Sequence, residues 1–452
     1  RPFWTAFPMV SLETSHSIAS SSPMAKPAVR TRVSSLISDA TLFAGGAASA
    51  ILIMWALSSF TIPNPNFSRL AADSSAGPNA ISAQDCAAGP ATFYDDPNLS
   101  YSVGEPVRDW DKRRREWLEI HRPLEGERIL MLTGSQPAPC RNPIGDHLLL
   151  RSFKNKVDYC RIQRCDVFYN DALLHPKMTS FWAKIPVVRA AMLAHPEAEW
   201  IWWVDSDAII TDMEFKLPLQ RYAQHNLVVH GWAHLVYEER SWTSLNAGVF
   251  LIRNCEWSME FLEVWAEMGP QSPNFFRWGR VQRSTFKDKL FPGSDDQAAL
   301  IYLLLKQKER WADKIYLEGE YLFQSYWVEI MKGLANTTAR YAEMERAVGR
   351  LRRRRAEVEV GRCYSALRDQ YLRREGVGFV QGGWRRPFVT HFTGCQPCSG
   401  NHNPTYSGES CWRGMKRALD FADDQVLRSY GFAHSGSPVS SSVSPLPFDY
   451  PA

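Results

Sequence analysis

Short apolar runs alternate with stretches of helical spacing over most of this chain. The run at residues 128–133 (RILMLT) ends in Gly134 and Ser135, a pattern that predicts a buried strand followed by a turn. Residues 183–195 (AKIPVVRAAMLAH) have the spacing of a helix. The predicted strands are residues 128–133, 166–169, 200–204, 227–230 and 248–252. Strands that alternate with helices predict an α/β fold with a largely parallel sheet covered on both faces.

The longest apolar stretch, residues 40–62, contains no charge in 23 residues. As a helix it would be roughly 35 Å long, enough to cross a hydrocarbon core of about 30 Å. Lys26, Arg30 and Arg32 precede it, so the positive-inside rule predicts a cytosolic N-terminus. We therefore expect a type II, single-pass signal anchor. A cleaved signal peptide and a buried core helix are the alternatives, and the length of the stretch disfavours both.

Composition divides the rest of the chain. Residues 63–92 are rich in Pro, Ser, Ala and Asn, a mixture that cannot build a core, and the end of the chain is again rich in Ser and Pro. Met24 has the features of a natural translation start, so we interpret residues 1–23 as an upstream extension of a gene model. The predicted segments are a cytosolic tail at 1–39, the anchor at 40–62, a stem at 63–92, a globular catalytic domain at 93–435 and a flexible tail at 436–452.

Charge excludes some classes of protein. With 52 Lys+Arg and 48 Asp+Glu, the net charge is only +4 over 452 residues, so nothing favours nucleic acid as a partner. The hydrophobic share of 45% and the charged share of 22% exclude a wholly disordered chain and a polytopic transporter. The basic run at 350–355 (RLRRRR) lies among many Glu and Ala residues, so we expect a solvated helix with compensating charges there.

All nine cysteines follow the predicted anchor, where an oxidising lumen would permit disulfides. The odd number leaves at least one cysteine unpaired. Cys395 and Cys398 form a lone C-x-x-C motif, a poor zinc site without a second pair, so a disulfide that involves Cys411 is favoured. N-glycosylation triplets begin at Asn66, Asn98 and Asn336 and agree with a luminal location.

Two aspartates directly follow the third predicted strand. In sheets of this kind, ligands bind at the carboxyl ends of the strands. Asp205 and Asp207 are spaced i, i+2, so in extended chain both carboxylates face the same side and can bind one divalent cation. Such a cation could neutralise a diphosphate and stabilise it as a leaving group. The other Asp-x-Asp motif, Asp109 and Asp111, lies in a charged segment and predicts the start of a solvated helix.

Other polar residues near strand ends and helix starts each have two interpretations. Asp295 and Asp296 precede a helical run, where they are either an N-cap with an acid in the first turn or part of the site. His391 ends another apolar strand and is either a third metal ligand, as a neutral imidazole, or a structural histidine. Residues 231–232 and 245–248 suit close contact with a sugar, or form turns.

Several long segments carry a resemblance to a known family. They are TGSQPAPCRNPIGDHLLLRSFKNKVDYC (133–160), AKIPVVRAAMLAHPEAEWIWWVDSDA (183–208), NLVVHGW (226–232), LNAGVFLIRNC (245–255), SDDQAALIYLL (294–304), RPFVTHFTGCQPCSG (386–400) and FADDQVLRSYGF (421–432). In this order they resemble plant glycosyltransferase family 34, the xyloglucan 6-xylosyltransferases and galactomannan galactosyltransferases of the Golgi. The segment at 92–101 (TFYDDPNLSY) is most similar to the galactomannan galactosyltransferase-like branch.

The resemblance implies a GT-A (Rossmann-like) fold, Mn²⁺ as cofactor and a UDP-sugar donor. It implies that Mn²⁺ and the donor diphosphate would be held by Asp205, Asp207 and His391. The residues that it implies at the sugar and the reaction centre are Asp295, Asp296 and Gln297. Those that it implies in donor or acceptor binding are Gly134, Ser135, Lys184, Asp205, His230, Asn246 and Gly248. Gln396 stands where the family often has lysine, which weakens the expectation of a phosphate contact there.

The implied reaction is transfer, with retention, to the 6-position of a β-1,4-linked hemicellulose backbone in the Golgi lumen. UDP-galactose and a mannan acceptor are favoured over UDP-xylose and a glucan acceptor. A covalent intermediate and front-face attack both stay open as routes to retention. A homo- or hetero-oligomer with other polysaccharide synthases is a candidate assembly at the Golgi membrane. A non-catalytic scaffold and a soluble hydrolase are alternatives of other classes; the complete set of site residues argues against the first, and the anchor and strand-end aspartates against the second.

Overall fold

The computed structural model describes residues 90–121, 128–289, 291–379, 383–435 and 442–448. The predicted cytosolic tail and anchor, and the stem up to residue 89, lie outside those residues and stay predictions. In the part that is described, no helix has both the length and the apolar content that a membrane crossing needs.

Part of the flexible tail predicted at 436–452 is described, namely residues 442–448, and the tail as a whole stays a prediction. Val443–Pro445 forms a short antiparallel pair with Phe432–His434. Backbone hydrogen bonds on either side of this pair, from Ser435 N to Ser442 O and from Leu446 N to Gly431 O, extend the ladder. A Ser/Pro-rich composition predicts the absence of a core, but it does not exclude a strand that pairs through its backbone.

A six-stranded sheet lies at the centre of the described residues. The strands of the structure are β1 (Ile129–Gly134), β2 (Asp166–Asn170), β3 (Trp200–Val204), β4 (Ala208–Ile210), β5 (Leu227–Gly231), β6 (Leu245–Arg253), β7 (Ile315–Glu318), β8 (Ser325–Tyr326), β9 (Val389–His391), β10 (Phe432–His434) and β11 (Val443–Pro445). The central sheet has the order β2-β1-β3-β6-β5-β7. Every neighbouring pair in it is parallel except those of β6, which runs antiparallel to β3 and β5. The predicted α/β fold and largely parallel sheet are confirmed, with β6 as the exception.

Strand β3 shows why its sequence is apolar throughout. Successive side chains of a strand point to opposite faces, so Trp200 and Trp202 pack in one core, together with Phe388. Ile201 and Trp203 pack in the other core. All of these side chains are buried. The sheet is therefore covered on both faces, as the sequence predicts.

A second sheet of three strands, in the order β4-β9-β8, begins where β3 ends. Only three residues, 205–207, separate β3 from β4. Strand β4 pairs antiparallel with β9, in a register that sets Ala208 opposite His391. This small sheet brings the chain after residue 388 next to the end of β3.

Ten helices surround the sheets in the described residues. They are α1 (Trp110–Ile120), α2 (Pro143–Gln163), α3 (Lys184–Ala194), α4 (Glu256–Ala266), α5 (Phe275–Thr285), α6 (Asp296–Lys306), α7 (Lys308–Trp311), α8 (Trp327–Ala347), α9 (Val358–Arg374) and α10 (Gly408–Ser429). Helix α1 begins at the Asp-x-Asp motif of residues 109–111, as predicted, and α3 coincides with the predicted helix at 183–195. Helix α2 begins with a cap, in which the Asn142 side chain accepts a hydrogen bond from Gly145 N at 2.7 Å.

Three disulfides join six of the eight cysteines in the described residues, and Cys255 and Cys363 are free. The disulfides are Cys140–Cys398, Cys160–Cys165 and Cys395–Cys411. The two cysteines of the C-x-x-C motif therefore bond to different partners, one of which is Cys411, as predicted. Cys140–Cys398 spans 258 residues of sequence and links the loop after β1 to the loop after β9.

The basic run at 350–355 does not form the solvated helix that the sequence predicts. It lies between α8 and α9, in a 3₁₀ turn and the loop after it. Arg354 is only 5% exposed and pairs with Glu345 at 2.5 Å and with Glu214 at 3.5 Å. Carboxylates from outside the run neutralise this charge, so composition alone could not show that the arginine is buried.

Replacing Glu214 with glutamine is expected to destabilise the fold by about 2–3 kcal/mol at neutral pH, because three arginines, Arg354, Arg368 and Arg386, surround that carboxylate. Burial raises the pKa of Glu214, but the arginines outweigh burial and hold the pKa far below its usual range. A carboxylate with a depressed pKa in the folded state contributes its full stability above its unfolded pKa and loses it as the pH falls towards the folded value.

Urea denaturation of both proteins as a function of pH tests this expectation. The difference in unfolding free energy should be largest near neutral pH and should shrink below about pH 4.5, the usual pKa of a glutamate. Glu343→Gln is the matched control, since Glu343 is an exposed carboxylate on α8 paired with Arg340. Equal stability of Glu214→Gln and the control at neutral pH would contradict the prediction.

Candidate active site

A cavity of about 620 Å³ opens where β1 and β3 end and β6 begins. Because β6 is antiparallel to β3, its first residues lie at the edge where β3 ends. This cavity is lined by eleven of the twelve site residues predicted from the sequence. They are Gly134, Ser135, Lys184, Asp205, Asp207, Asn246, Gly248, Asp295, Asp296, Gln297 and His391. The twelfth, His230, lines a neighbouring cavity instead.

Asp205, Asp207 and His391 form a cluster of two carboxylates and an imidazole. Their ligand atoms all lie within 4.8 Å of one another. His391 Nε2 is 3.2 Å from Asp207 Oδ1 and 3.9 Å from Asp205 Oδ2. Asp207 and His391 are 184 positions apart in the sequence, and they meet here because β4 pairs with β9. Carboxylates and an imidazole are ligands that Mn²⁺ accepts, so the cluster fits the predicted metal site.

The neighbours of Asp205 contact one of its carboxylate oxygens, Oδ1, and leave the other, Oδ2, facing His391. Its Oδ1 accepts a hydrogen bond from Trp203 Nε1 at 2.6 Å and lies 3.3 Å from Lys184 Nζ. Its backbone N donates to Gly248 O at 2.8 Å. A Cβ atom on Gly248 would lie 2.3 Å from the His391 ring and 2.6 Å from Asp205 Oδ2. Only glycine therefore leaves room for these two side chains to approach each other.

Lys184 and Asp296 form a buried ion pair beside the cluster. The Lys184 Nζ lies 2.8 Å from Asp296 Oδ2 and donates to Ala247 O at 3.0 Å. Burial lowers the pKa of Lys184, but the carboxylates of Asp205 and Asp296 outweigh burial and raise it well above its usual value. Burial also raises the pKa of Asp296 to about 6, against the opposing effect of the Lys184 ammonium. One lysine thus joins the metal cluster to the start of α6.

Asp295 has the structural role that the sequence left open. It is the N-cap of α6, and its Oδ1 accepts from Ala298 N at 2.7 Å and from Trp242 Nε1 at 3.2 Å. Its Oδ2 lies 2.5 Å from Lys289 Nζ. One oxygen therefore accepts two hydrogen bonds and the other is in an ion pair, while the side chain lines the cavity. Its implied place at the reaction centre stays a prediction.

Gln297, in the first turn of α6, bonds to the loop before β6 and to β6 itself at the edge of the cavity. Its Nε2 donates to Trp242 O at 2.9 Å, and its Oε1 accepts from Ala247 N at 3.4 Å. Neither hydrogen bond depends on protonation, because the amide is neutral. Gln297 thus holds the loop before β6 against the first turn of α6.

Gly134 and Ser135 lie at the end of β1, on another side of the cavity. A Cβ atom on Gly134 would lie 2.1 Å from Asn170 O, so glycine is required where β1 and β2 end together. Ser135 Oγ accepts a hydrogen bond from Tyr169 at 2.7 Å. The Cys140–Cys398 disulfide ties the loop that follows to residues 396–398, which also line the cavity. Gln396, where the resemblance implies a lysine, lies in the loop after β9 and lines the cavity.

A second cavity, of about 190 Å³, adjoins the first and shares Asn246 and Gln297 with it. Its walls include His230, which packs edge-on against Trp232 with ring centroids 4.7 Å apart. Burial lowers the pKa of His230 to about 4, so its imidazole is neutral at neutral pH. Four further aromatic side chains line this cavity, those of Trp232, Trp242, Tyr326 and Tyr406.

Sequence reasoning missed two residues that hold the site together. Trp242 lines both cavities and contacts Asp295 and Gln297. Lys289 is 2% exposed and pairs with Asp295. A lone tryptophan and a lone lysine in irregular segments have no local pattern that could identify them. Their roles follow from the contacts of Trp242 and Lys289 with Asp295 at the start of α6.

The α/β fold has a candidate divalent-metal cluster at its strand ends, beside a large cavity, where ligands bind in folds of this kind. This arrangement is compatible with a glycosyltransferase. The chain belongs to the galactosyl transferase GMA12/MNN10 family, whose profile matches residues 125–402. The resemblance to glycosyltransferase family 34 is thereby confirmed. The chain is an enzyme that transfers a sugar.

Two curated relatives and one solved structure illustrate the similarity. The chain is 57% identical to putative glycosyltransferase 7 of Arabidopsis thaliana, over 98% of this chain and 99% of that one. It is 54% identical to galactomannan galactosyltransferase 1 of Cyamopsis tetragonoloba, over 95% of this chain and 100% of that one. A crystal structure of a glycosyltransferase involved in glycosylation of the major capsid of PBCV-1 is 12% identical, with a TM-score of 0.35 over 64% of this chain and 98% of that one. That score is too low to support any argument about this chain.

Proposed function

We propose that this chain is a GT-A glycosyltransferase that transfers galactose from UDP-galactose, with retention, to the 6-position of a β-1,4-linked mannan backbone. The observation that carries the proposal is the cluster of Asp205, Asp207 and His391 at the wall of the 620 Å³ cavity. The choice of galactose and mannan is supported by the 54% identity to galactomannan galactosyltransferase 1 over nearly the whole of both chains.

The site residues suit the departure of a diphosphate. Mn²⁺ held by Asp205, Asp207 and His391 would neutralise the diphosphate of the donor and stabilise UDP as it leaves. Lys184 keeps the nearby carboxylate of Asp296 paired and fixed in position at the cavity wall. Asp296 is then placed to accept hydrogen bonds from sugar hydroxyl groups.

The second cavity suits the acceptor. Aromatic rings stack on the apolar faces of pyranose sugars, and four such rings line this cavity. Neutral His230 and the amides of Asn246 and Gln297 supply hydrogen-bonding groups without charge. An acceptor in the smaller cavity would meet a donor in the larger one along the wall that the two cavities share, which is formed by Trp242, Asn246, Gln297, Thr393 and Gly394.

We also propose a Golgi location with the catalytic domain in the lumen. The uncharged stretch at 40–62 and the basic residues before it support this orientation. Asn98 and Asn336, which begin two glycosylation triplets, are both exposed. Modification of either asparagine in the native protein, detected by mass, would test the luminal side.

The function is tested by offering the full chain, with Mn²⁺, each of two donors together with each of two acceptors. The donors are UDP-galactose and UDP-xylose, the acceptors are manno- and cello-oligosaccharides, and the products are identified by mass. We expect a hexose to be added to the mannan series alone. Addition of a pentose to cello-oligosaccharides would overturn the assignment in favour of a xyloglucan 6-xylosyltransferase. The absence of any product or UDP release from a folded chain would favour a non-catalytic scaffold.

A further inference from the structure

Helix α2 presents a row of buried polar side chains to the segment that carries the metal cluster. Ser152, Asn155 and Lys156 are spaced i, i+3, i+4, so they share one face of the helix. Their exposed fractions are 1%, 6% and 0%. Burying a polar group is costly unless it forms hydrogen bonds, and an apolar side chain would pack at lower cost. The hydrogen-bond partners of these three side chains therefore indicate the role of this face of the helix.

All three side chains hydrogen bond to the backbone of residues 206–210. Ser152 Oγ donates to Ser206 O at 2.6 Å, and Lys156 Nζ donates to Ala208 O at 2.8 Å. Asn155 both donates to Ile210 O and accepts from Ile210 N, each at 2.9 Å. Lys156 Nζ also donates to Ser152 Oγ at 2.9 Å, which joins the first two contacts.

These contacts provide hydrogen-bond partners for the backbone groups along one edge of β4, and β9 provides partners along the other edge. In extended chain the carbonyls of alternate residues point the same way, and the three carbonyls bound by α2 belong to residues 206, 208 and 210. The carbonyl between the first two, Asp207 O, accepts instead from Phe392 N at 3.0 Å. Helix α2 therefore replaces a neighbouring strand, and Asp207 is held between the helix on one side and β9 on the other.

We infer that Lys156 and Ser152 are positioning residues for the metal cluster, which fix the backbone on both sides of Asp207 and so set its carboxylate at binding distance from His391. This inference rests on the proposed function, in which that cluster binds Mn²⁺. Two carboxylates held close together repel each other, so the cluster needs an external support to keep its geometry when no cation is present. Groups that orient metal ligands contribute to metal affinity although they do not touch the ion.

The support does not depend on the charge of Lys156. Burial lowers the pKa of Lys156 to about 7, against the opposing effect of Asp207 and Asp205. An ammonium has three N–H donors and a neutral amine has two, so both hydrogen bonds of Lys156 exist in either form. Methionine has nearly the same length and no donor, which makes Lys156→Met the variant that removes the hydrogen bonds and preserves the packing.

The test measures Mn²⁺ binding to the full chain in the absence of any donor, by electron paramagnetic resonance of free Mn²⁺. We expect Lys156→Met to weaken binding by about 10–100-fold. Ser152→Ala, which removes one hydrogen bond to the loop, should weaken it by about fivefold. Transfer activity should show the same change as a higher Mn²⁺ requirement, with most of the maximal rate restored at saturating Mn²⁺.

Lys154→Met is the matched control. Lys154 lies on the same helix, two residues from Lys156, but its side chain is 55% exposed and pairs with Asp158 and Asp423 at 2.6 and 2.7 Å. The control should bind Mn²⁺ as the unaltered chain does. Circular dichroism establishes that each variant is folded, and if Lys156→Met does not fold, Ser152→Ala decides the question.

Each outcome separates the inference from the function on which it rests. Folded Lys156→Met and Ser152→Ala chains that bind Mn²⁺ as tightly as the unaltered chain would overturn the positioning role and leave the proposed function intact. A fall in maximal rate with no change in Mn²⁺ affinity would also overturn it. An unaltered chain that binds no Mn²⁺ would overturn both the metal assignment and the inference.

Discussion

Replacing Asp207 with alanine is expected to lower sugar transfer by at least about a thousandfold, or about 4 kcal/mol of transition-state stabilisation. Asp207 supplies one of the three ligand atoms in the cluster and has the shorter contact with His391. Without it, Asp205 and His391 cannot hold a divalent cation firmly, and the leaving diphosphate loses its counter-charge. Transfer to manno-oligosaccharides and calorimetric Mn²⁺ binding should therefore fall together.

The second Asp-x-Asp motif supplies a control for this experiment. Asp109 is exposed at the start of α1, and its side chain makes no capping hydrogen bond. Its φ of 54° lies in the left-handed region, which asparagine tolerates, so Asp109→Asn should keep the fold and full activity. If Asp207→Ala retained Mn²⁺ binding and transfer, the cluster would not serve the reaction and the metal assignment would be overturned.

Replacing Lys184 with methionine is expected to cost about 3–5 kcal/mol of folding stability in addition to activity. The side chain is 3% exposed and contacts the carboxylates of Asp205 and Asp296. Without the ammonium, the buried carboxylate of Asp296 and the half-buried one of Asp205 would lose their cation. Asp296 already has its pKa raised to about 6 by burial, and loss of the ammonium raises it further. The stability deficit of the variant should therefore widen as the pH rises from 5 to 8, because unpaired carboxylates are easiest to bury when protonated.

Two further variants show whether the loss arises from the ion pair. Lys177→Met removes an exposed lysine shortly before α3 and should leave urea denaturation unchanged. Lys184→Met combined with Asp296→Asn removes one of the unpaired charges, so it should be more stable than Lys184→Met alone. Additive effects of the two substitutions would show that Lys184 and Asp296 do not interact in the folded protein.

Five of the six strands of the central sheet were predicted because local sequence determines them, and β7 at its edge was missed. Each predicted run is mostly apolar, is four to six residues long and is bounded by polar or turn residues. The bounds of β1 and β3 were therefore predicted almost to the residue. The direction of β6 could not be read in this way. A strand has the same apolar pattern in either direction, and the chain reversal before β6 depends on the packing of residues 232–244.

A site residue could be predicted when the residues adjacent to it in sequence form a recognisable pattern. Asp205 and Asp207 are identified by their place after a buried strand, which is a property of a few adjacent residues. His391 joins them only through the register of β4 and β9, and the resemblance to a family was needed to select it from other histidines. Lys156 and Trp242 were missed because a buried lysine inside a helix and a tryptophan in a loop acquire their roles from residues distant in sequence.

The bond between Cys140 and Cys398 closes a covalent ring that contains both aspartates, the histidine and every segment between them. A protease that cuts once at a surface loop within this ring cannot release a fragment, since the two pieces stay attached through sulfur. A nicked molecule would keep its mass under non-reducing conditions and separate into pieces only when a thiol is added. The parts of the catalytic centre are thus protected from separation by a single cleavage, whichever exposed loop of the ring is cut.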